Sequence, residues 1–434
     1  MSLSHWWILP GDPNAWWVLS GTTLLGLTGG VLGSFAFLRK RGLMGDVLAH
    51  AALPGICLAF MLTGSKHPLW FLLGAAVTGL AASLVITGIT RFSRIKEDAA
   101  LGLVLSVFFG IGIVLLTHIQ HSDHGNQSGL DSFLFGQAAS MVESDVRLMG
   151  GVAVLLLVLS LLFFKELKLL CFDASFGRSL GFPMGRIDFL LMMFLVVAVV
   201  IGLQAAGIVL MAALLITPAA AARFWTERLN RMIIISAIIG AASGMIGTAI
   251  SAAGYNLSTG PLIVLSATAM FAVSMVFAPR RGLLAKWIRL LETRRRVARE
   301  RILSGLYDLL EQKRAETVGA AELEAVFPSF RRDLSVMKRL EKEGVLQLCR
   351  SGARISEIGL TPKGWDEARD TVLRLRMLDV WLMHEHELDQ VLPDREREEA
   401  EIPESIRPKL MELIKRHNLD PSWHPRLHEG GSAS

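Results

Sequence analysis

Long apolar stretches separated by short polar turns occupy the first two thirds of the chain. A helix of about 20 such residues matches the hydrocarbon thickness of a bilayer. The pattern predicts nine membrane crossings, at residues 16–38, 44–63, 68–90, 99–118, 146–164, 187–205, 207–222, 231–253 and 261–278. We therefore expect a mainly α-helical, polytopic membrane bundle. Its seventh crossing is short: Ala205, Ala206 and Gly207 predict a break before it, and Pro218 predicts its end.

Composition agrees with this pattern, and the basic residues indicate an orientation. Of 434 residues, 52% are hydrophobic and only 19% are charged, which is too apolar for a soluble protein of this length. Basic residues gather in alternate turns, beginning with Arg39, Lys40 and Arg41. By the positive-inside rule the N-terminus lies outside and the C-terminus is cytoplasmic. We therefore interpret the net charge of +5 first as a sign of membrane orientation, and only after that as a sign of a binding partner.

One polar pair interrupts the second predicted crossing. Asp46 and His50 are four residues apart, so a helix places them on one face. Pro54 has no amide hydrogen to offer the carbonyl of His50. A carboxylate, an imidazole and a bare carbonyl suit a transition-metal cation. The alternative is a mutually satisfied polar pair that only fixes helix packing.

The same predicted helix face continues to Cys57 and Met61. Their sulfur atoms suit a softer ion such as Zn²⁺, although apolar packing explains the two residues more simply. The three cysteines are far apart and form no CxxC spacing, which excludes a zinc knuckle and a disulfide framework.

No GxxxxGK[ST] sequence occurs in the chain, so it has no P-loop of its own. No HExxH or Ser/His/Asp arrangement indicates a hydrolase. We therefore expect a translocation subunit that is not itself an enzyme and depends on a partner for ATP hydrolysis. The internal loop at 172–181 predicts a short amphipathic helix that docks a partner. Its partner-binding residues are predicted to be Asp173, Ala174, Ser175, Phe176 and Gly177.

After the last crossing the composition becomes polar and charged. Residues 281–298 predict a basic linker helix that follows a permease domain of residues 1–280. Residues 299–434 predict a cytoplasmic winged-helix domain, with helices at 299–312, 319–326 and 329–343 and a β-ribbon at 345–361. The third helix carries charges of both signs, which disfavours DNA binding.

The order of the membrane motifs resembles that of the permease subunits of manganese/zinc/iron ABC transporters, the metal-uptake branch of the type II importers. The matching segments are 45–55 (GDVLAHAALPG), 96–102 (KEDAALG), 133–136 (FLFG), 207–210 (GIVL) with 214–220 (LLITPAA), and 255–260 (YNLSTG). The resemblance implies a bacterial inner-membrane location, a homo- or heterodimeric core, two cytoplasmic ATPase subunits and an extracytoplasmic metal-binding protein. It also implies that Asp46 and His50 belong to the translocation pathway and that the loop at 173–181 is a coupling helix.

The C-terminal domain resembles metal-dependent repressors of the diphtheria toxin repressor type, from about Arg299 to Pro425. Leu375 and Ser405 stand where that family has metal-binding histidines. These losses argue against metal sensing in the repressor manner. His384, Glu385, His386 and Glu387 offer an alternative site, although an exposed polar run explains them more simply.

Together these patterns predict an importer permease for Mn²⁺, Zn²⁺ or Fe²⁺, with the ion as cargo rather than a stable cofactor and a C-terminal regulatory domain. The alternative is a membrane-tethered, metal-responsive transcriptional regulator. The repressor resemblance favours manganese slightly, but Asp and His ligation suits all three ions.

Overall fold

The computed structural model describes residues 13–64, 68–121, 143–254, 257–326, 333–351, 354–384 and 402–421. The chain divides into two compact units, Met1–Lys286 and Trp287–Ser434. The second unit begins within a continuous helix, which runs through both the predicted linker at 281–298 and the predicted helix at 299–312.

The described part of the first unit is entirely helical. Its helices are α1 (Pro13–Leu38), α2 (Met44–Thr63), α3 (Pro68–Phe92), α4 (Glu97–His121), α5 (Glu143–Leu162), α6 (Phe164–Phe172), α7 (Ala174–Ser179), α8 (Met184–Trp225), α9 (Leu229–Ala253) and α10 (Thr259–Phe277). Within the described ranges, eight helices are long and apolar enough to cross a membrane. The mainly helical, polytopic class predicted from hydropathy is confirmed.

The seventh predicted crossing, which was predicted to be short, lies in the second half of α8. Gly207 has φ 75° and ψ 173°, which interrupts the helix at the predicted break. The remaining piece, Leu210–Trp225, is apolar but shorter than a full candidate span. Pro218 lies inside this piece instead of ending it, so the prediction that it stops the helix is wrong. Membrane helices tolerate such a proline because neighbouring groups satisfy the freed carbonyl.

Small residues bring α1 and α9 into close contact. A Cβ atom built on Gly26 would lie 2.1 Å from the backbone oxygen of Gly240. The hydroxyl of Ser236 donates to the carbonyl oxygen of Gly30 at 2.7 Å. In a lipid bilayer the hydrophobic effect does not favour helix association, because the lipid tails are as apolar as the helices. Membrane helices therefore associate through close packing and interhelical hydrogen bonds of this kind. The glycine-rich sequence of both helices is therefore explained by their contact.

Helix α2 lies among α3, α4 and the first half of α8 in the largest buried cluster of the unit. Gly55 approaches Gly74 of α3 so closely that an added Cβ would lie 2.1 Å from the Gly74 oxygen. Gly45 similarly faces Leu215 in the second half of α8. Residues at both ends of α2 are thereby held against its neighbours, which fixes the helix that carries Asp46 and His50.

The second unit combines helices with a small antiparallel sheet. Its elements are α11 (Leu283–Lys313, which starts in the first unit), β1 (Thr317–Gly319), α12 (Ala320–Val326), α13 (Leu334–Lys342), β2 (Leu346–Ser351), β3 (Arg354–Leu360), α14 (Pro362–Met383) and α15 (Arg407–Arg416). The strand order is β1-β3-β2. The pairing of β2 with β3 matches the predicted ribbon, while part of the predicted helix at 329–343 lies outside the described residues.

Two apolar clusters stabilise this unit. In the first, Tyr307 of α11 and Trp365 of α14 meet edge to face, with ring centroids 5.7 Å apart. Burial raises the pKa of Tyr307 to about 12. The second cluster joins α14 to α15 around Trp381 and Leu410.

Candidate metal site

Asp46 and His50 meet on one face of α2, as their spacing predicts. The Oδ1 atom of Asp46 lies 3.4 Å from Nε2 of His50. The side chains are 38% and 24% exposed, respectively, so both are reachable from outside the packed core. A carboxylate oxygen and an imidazole nitrogen this close can contact one cation.

Neighbouring residues fix the imidazole but do not complete its hydrogen bonding. The ring of Phe109 on α4 meets the His50 ring edge to face, with centroids 4.8 Å apart. The Nδ1 atom of His50 is buried, and no residue in the described ranges forms a hydrogen bond with it. Buried polar atoms in proteins normally have a partner. Nδ1 of His50 is one of the few exceptions among the described residues, and Nε2 is the ring nitrogen that faces Asp46.

The sulfur atoms predicted on the same face do not join the pair. Cys57 is fully buried, and its thiol points to the carbonyl oxygen of Gly112 at 3.9 Å. Met61 lies nearly half exposed, more than two turns beyond His50 along α2. Across the described residues, no cluster of three or more His, Cys, Asp or Glu side chains is arranged to hold a metal. Packing therefore explains Cys57, and within the described residues the candidate metal site consists of Asp46 and His50.

A charged cluster that the sequence did not reveal lies at the start of α2. Asp188 in the first turns of α8 accepts from Arg39 and from Arg41, each at 3.1 Å. Arg41 also contacts Glu97, the first residue of α4. The Arg41 side chain is only 9% exposed. These residues join the α1–α2 turn to the starts of α4 and α8, just before the Asp46 position.

The sequence did not indicate that these charges pair. Arg39 and Arg41 flank a residue with positive φ, Lys40, which forms the turn between α1 and α2. The acids lie at or near the starts of predicted crossings, where acidic residues are common because they complement the helix dipole. Only the folded arrangement shows that these charges pair with one another.

The predicted partner-binding loop does form a short helix, α7. The Asp173 carboxylate caps it by accepting from the backbone amides of Ser175 and Phe176 at 3.1 and 2.8 Å. Gly177 is buried where an added Cβ would meet Met184. Phe176 is 53% exposed. An exposed aromatic side chain on a capped, short helix is a suitable contact for another protein.

Comparison with known proteins places this arrangement in a family. The model of the ABC 3 transport family matches residues 12–278, which is more than half of the chain. The chain belongs to the ABC 3 transport family. The match covers the membrane bundle, including α2 and α7, and ends one residue after α10.

Two metal transport proteins have sequences similar to that of this chain. The manganese transport system membrane protein MntC of Bacillus subtilis is 46% identical over 426 residues, covering 98% of this chain and 97% of that protein. The zinc transport system membrane protein TroC of Treponema pallidum is 46% identical over 267 residues, covering 62% of this chain and 90% of that protein.

A solved relative supports the fold of the membrane bundle. The structure of PsaBC from Streptococcus pneumoniae in complex with Fab matches with a TM-score of 0.57 and 33% identity. It covers 65% of this chain and 96% of the matched chain. The similarity to MntC extends over almost the whole chain, so the two proteins also resemble each other beyond residue 278.

Proposed function

We propose that this chain is the permease subunit of an ATP-driven importer of divalent transition-metal ions, in which Asp46 and His50 contact the ion during translocation. The observation that carries the proposal is their geometry on α2. An acid and an imidazole lie 3.4 Å apart within a helix apolar enough to cross a membrane. Ionisable residues inside membrane spans are rare and usually mark ion pathways.

The number of ligands supports a dimeric core. Transition-metal ions take four or more ligands, and Asp46 and His50 supply two. The described residues place no third His, Cys, Asp or Glu beside them. We propose that a second permease chain, identical or homologous, supplies the remaining protein ligands, with water completing the coordination.

Energy and delivery come from other subunits. The sequence has no P-loop, so ATP hydrolysis belongs to cytoplasmic ATPase subunits. We propose that residues 173–177 dock on them, with the Phe176 ring as the main contact and Asp173 holding the helix in shape. An extracytoplasmic metal-binding protein would deliver the ion from outside the bacterial inner membrane, and the C-terminus would be cytoplasmic.

The names of the relatives bear on the choice of ion. MntC of Bacillus subtilis is named for manganese and TroC of Treponema pallidum for zinc. Carboxylate and imidazole ligands suit both metals, and Cys57 is directed away from the pair toward a backbone carbonyl. A site without a thiolate ligand favours Mn²⁺ over softer metal ions. We therefore propose Mn²⁺ as the main cargo, with Zn²⁺ or Fe²⁺ as competitors.

The second unit is proposed to regulate the transporter. We propose that it is a winged-helix domain, which its helices followed by the β2–β3 hairpin support, as does the resemblance to metal-dependent repressors. We propose that it contacts the ATPase or the second permease chain. Deletion of residues 299–434 should then change ATPase rate, assembly or uptake; a deletion that leaves all three unchanged would contradict a regulatory role.

Uptake measurements test the proposed transport. Wild-type, Asp46→Ala and His50→Ala chains are assembled with their ATPase partner in proteoliposomes, and uptake of radiolabelled Mn²⁺ is followed with and without ATP. Both variants should lose ATP-dependent uptake while still assembling. His121→Ala is the matched control, because that histidine lies exposed at the end of α4. Unchanged uptake in the Asp46 and His50 variants would refute their proposed role.

A further inference from the structure

A basic cavity in the second unit is not used by the proposed transport function. It has a volume of about 530 Å³ and lies between α11 and α13. That volume falls within the range of about 300–1,000 Å³ that is usual for small-ligand sites. Four arginines line it, Arg295, Arg296, Arg299 and Arg339.

The acids in the cavity do not cancel its positive charge. Glu292 and Glu343 also line it, and Arg299 donates to Glu367 at 2.7 Å, which leaves four arginines against three glutamates. Glu343 accepts from both Arg299 and Arg339 at 3.0 Å and so holds these two guanidinium groups in place. Ser335 adds a neutral residue with a hydroxyl group to the lining. Planar guanidinium groups with fixed positions match the oxygen geometry of a phosphate group.

The helix that supplies three of these arginines also has an exposed apolar face. Trp287, Ile288 and Leu290 are 62%, 45% and 47% exposed. Ile288 and Arg295 are seven residues apart, so they lie on the same stripe of α11, two turns from each other. The apolar face therefore continues along the helix to the edge of the basic cavity.

The position of this helix in the chain indicates what covers it. Nine residues separate Phe277, the end of the last candidate span, from Trp287. Residues 283–301 contain seven Lys or Arg and two Glu. A juxtamembrane helix with exposed Trp and aliphatic side chains and a strong positive charge is typical of a segment that lies on an anionic membrane surface.

We propose that the cavity formed by Arg295, Arg296, Arg299 and Arg339 binds the phosphate of an anionic phospholipid headgroup, while Trp287, Ile288 and Leu290 insert among its acyl chains. This contact ties the second unit to the cytoplasmic leaflet. The anionic lipid content of that leaflet would then regulate the proposed regulatory domain, and this regulation would not require a change in the metal site.

Hydrogen exchange of the full chain in nanodiscs tests this site. Nanodiscs of dioleoylphosphatidylcholine receive an increasing share of dioleoylphosphatidylglycerol, and exchange is followed in peptides covering 287–299 and 334–343. Protection of both segments should rise with phosphatidylglycerol in the wild type. Arg295→Gln/Arg296→Gln should weaken the apparent lipid affinity by about 30-fold, since each basic residue near an anionic surface contributes about fivefold.

Three controls separate this proposal from its alternatives. Lys415→Gln/Arg416→Gln removes two exposed charges from α15 and should leave the titration unchanged. Arg295→Lys/Arg296→Lys keeps both charges but loses the planar guanidinium geometry, so it should lose part of the protection, and less than the glutamine variant loses. Exchange in α14 reports whether each variant is folded.

Other outcomes would overturn the proposal. Protection that persists in a folded Arg295→Gln/Arg296→Gln variant would exclude the cavity as the lipid site, and wild-type protection in the lysine variant would exclude recognition by fixed guanidinium groups. Equal protection by inorganic phosphate in phosphatidylcholine nanodiscs would identify a soluble anion as the ligand. Equal protection by a DNA duplex would identify a nucleic acid.

Discussion

Asp188 is the residue through which the charged cluster at the start of α2 can be tested. Its carboxylate accepts from Arg39 and Arg41 at 3.1 Å, and the Arg41 and Asp188 side chains are only 9% and 18% exposed. Removing one partner from a buried ion pair typically costs about 3–5 kcal/mol, because the remaining charge is left unpaired. Arg41 keeps its contact with Glu97, and the site is partly solvated. We therefore expect Asp188→Asn to lower the free energy of unfolding by about 2–3 kcal/mol.

Thermal unfolding of the purified full chain in detergent, followed by circular dichroism, measures this loss. The matched control is Glu143→Gln, which breaks the pair between Glu143 and Arg147 at the start of α5. Those side chains are 47% and 71% exposed, and exposed pairs contribute about 1 kcal/mol at most. Asp188→Asn should lower the apparent Tm by several degrees and Glu143→Gln by much less.

A double-mutant cycle completes the test. If Arg41 and Asp188 interact directly, Arg41→Gln combined with Asp188→Asn should be less destabilised than the sum of the two single variants, by about 1–3 kcal/mol. Equal Tm shifts for Asp188→Asn and Glu143→Gln, or strict additivity in the cycle, would refute the conclusion that the cluster joins the helices.

Three further predictions concern helix packing, alkaline stability and the docking helix. Gly240→Ala places a Cβ 2.0 Å from a backbone oxygen of α1 and should lower the free energy of unfolding by about 1–3 kcal/mol. The added Cβ in Gly88→Ala meets nothing within 4 Å, so this variant should be neutral or slightly stabilised. Thermal unfolding of both variants checks this difference. Burial raises the pKa of Tyr307 from 10.0 to about 12, so the unfolded state loses this proton first and stability should fall as pH rises from 10.0 through about 12. Denaturant unfolding should show that fall in the wild type and a smaller one in Tyr307→Phe. Phe176→Ala should abolish copurification of the ATPase subunit, whereas Asp173→Asn, which keeps a capping oxygen, should preserve it; copurification of both variants at wild-type levels would exclude α7 as the docking element.

Sequence reasoning performed best where one physical rule dominates. Hydropathy located the apolar helices because bilayer thickness fixes their length. The break near Gly207 followed from a short apolar segment beside a glycine, and the contact between Asp46 and His50 followed from helix periodicity. The short length of the seventh predicted crossing followed from the same break, which leaves Leu210–Trp225 shorter than a full span.

Tertiary pairing was less accessible to sequence reasoning. Arg39 and Arg41 match the pattern of orientation signals, so nothing in the sequence indicated that Arg41 would be buried against Asp188, 147 residues away. Cys57 shares the helical spacing of the metal face, yet the approach of Gly112 on α4 turns its thiol to a backbone carbonyl. Such outcomes depend on which helices become neighbours, and periodicity within one helix does not specify that.

Pulsed electron paramagnetic resonance of Mn²⁺ bound to the purified transporter tests the central claim most directly, because it detects the ligand nitrogen itself. The wild-type spectrum should contain the coupling of an imidazole nitrogen to Mn²⁺. With ¹⁵N-labelled histidine in this chain alone, His50→Gln should remove the coupling from the labelled nitrogen, and His121→Gln should retain it. Bound Mn²⁺ that keeps the labelled coupling in His50→Gln, or that lacks it in the wild type, would contradict the assignment of His50 as a ligand of the transported ion.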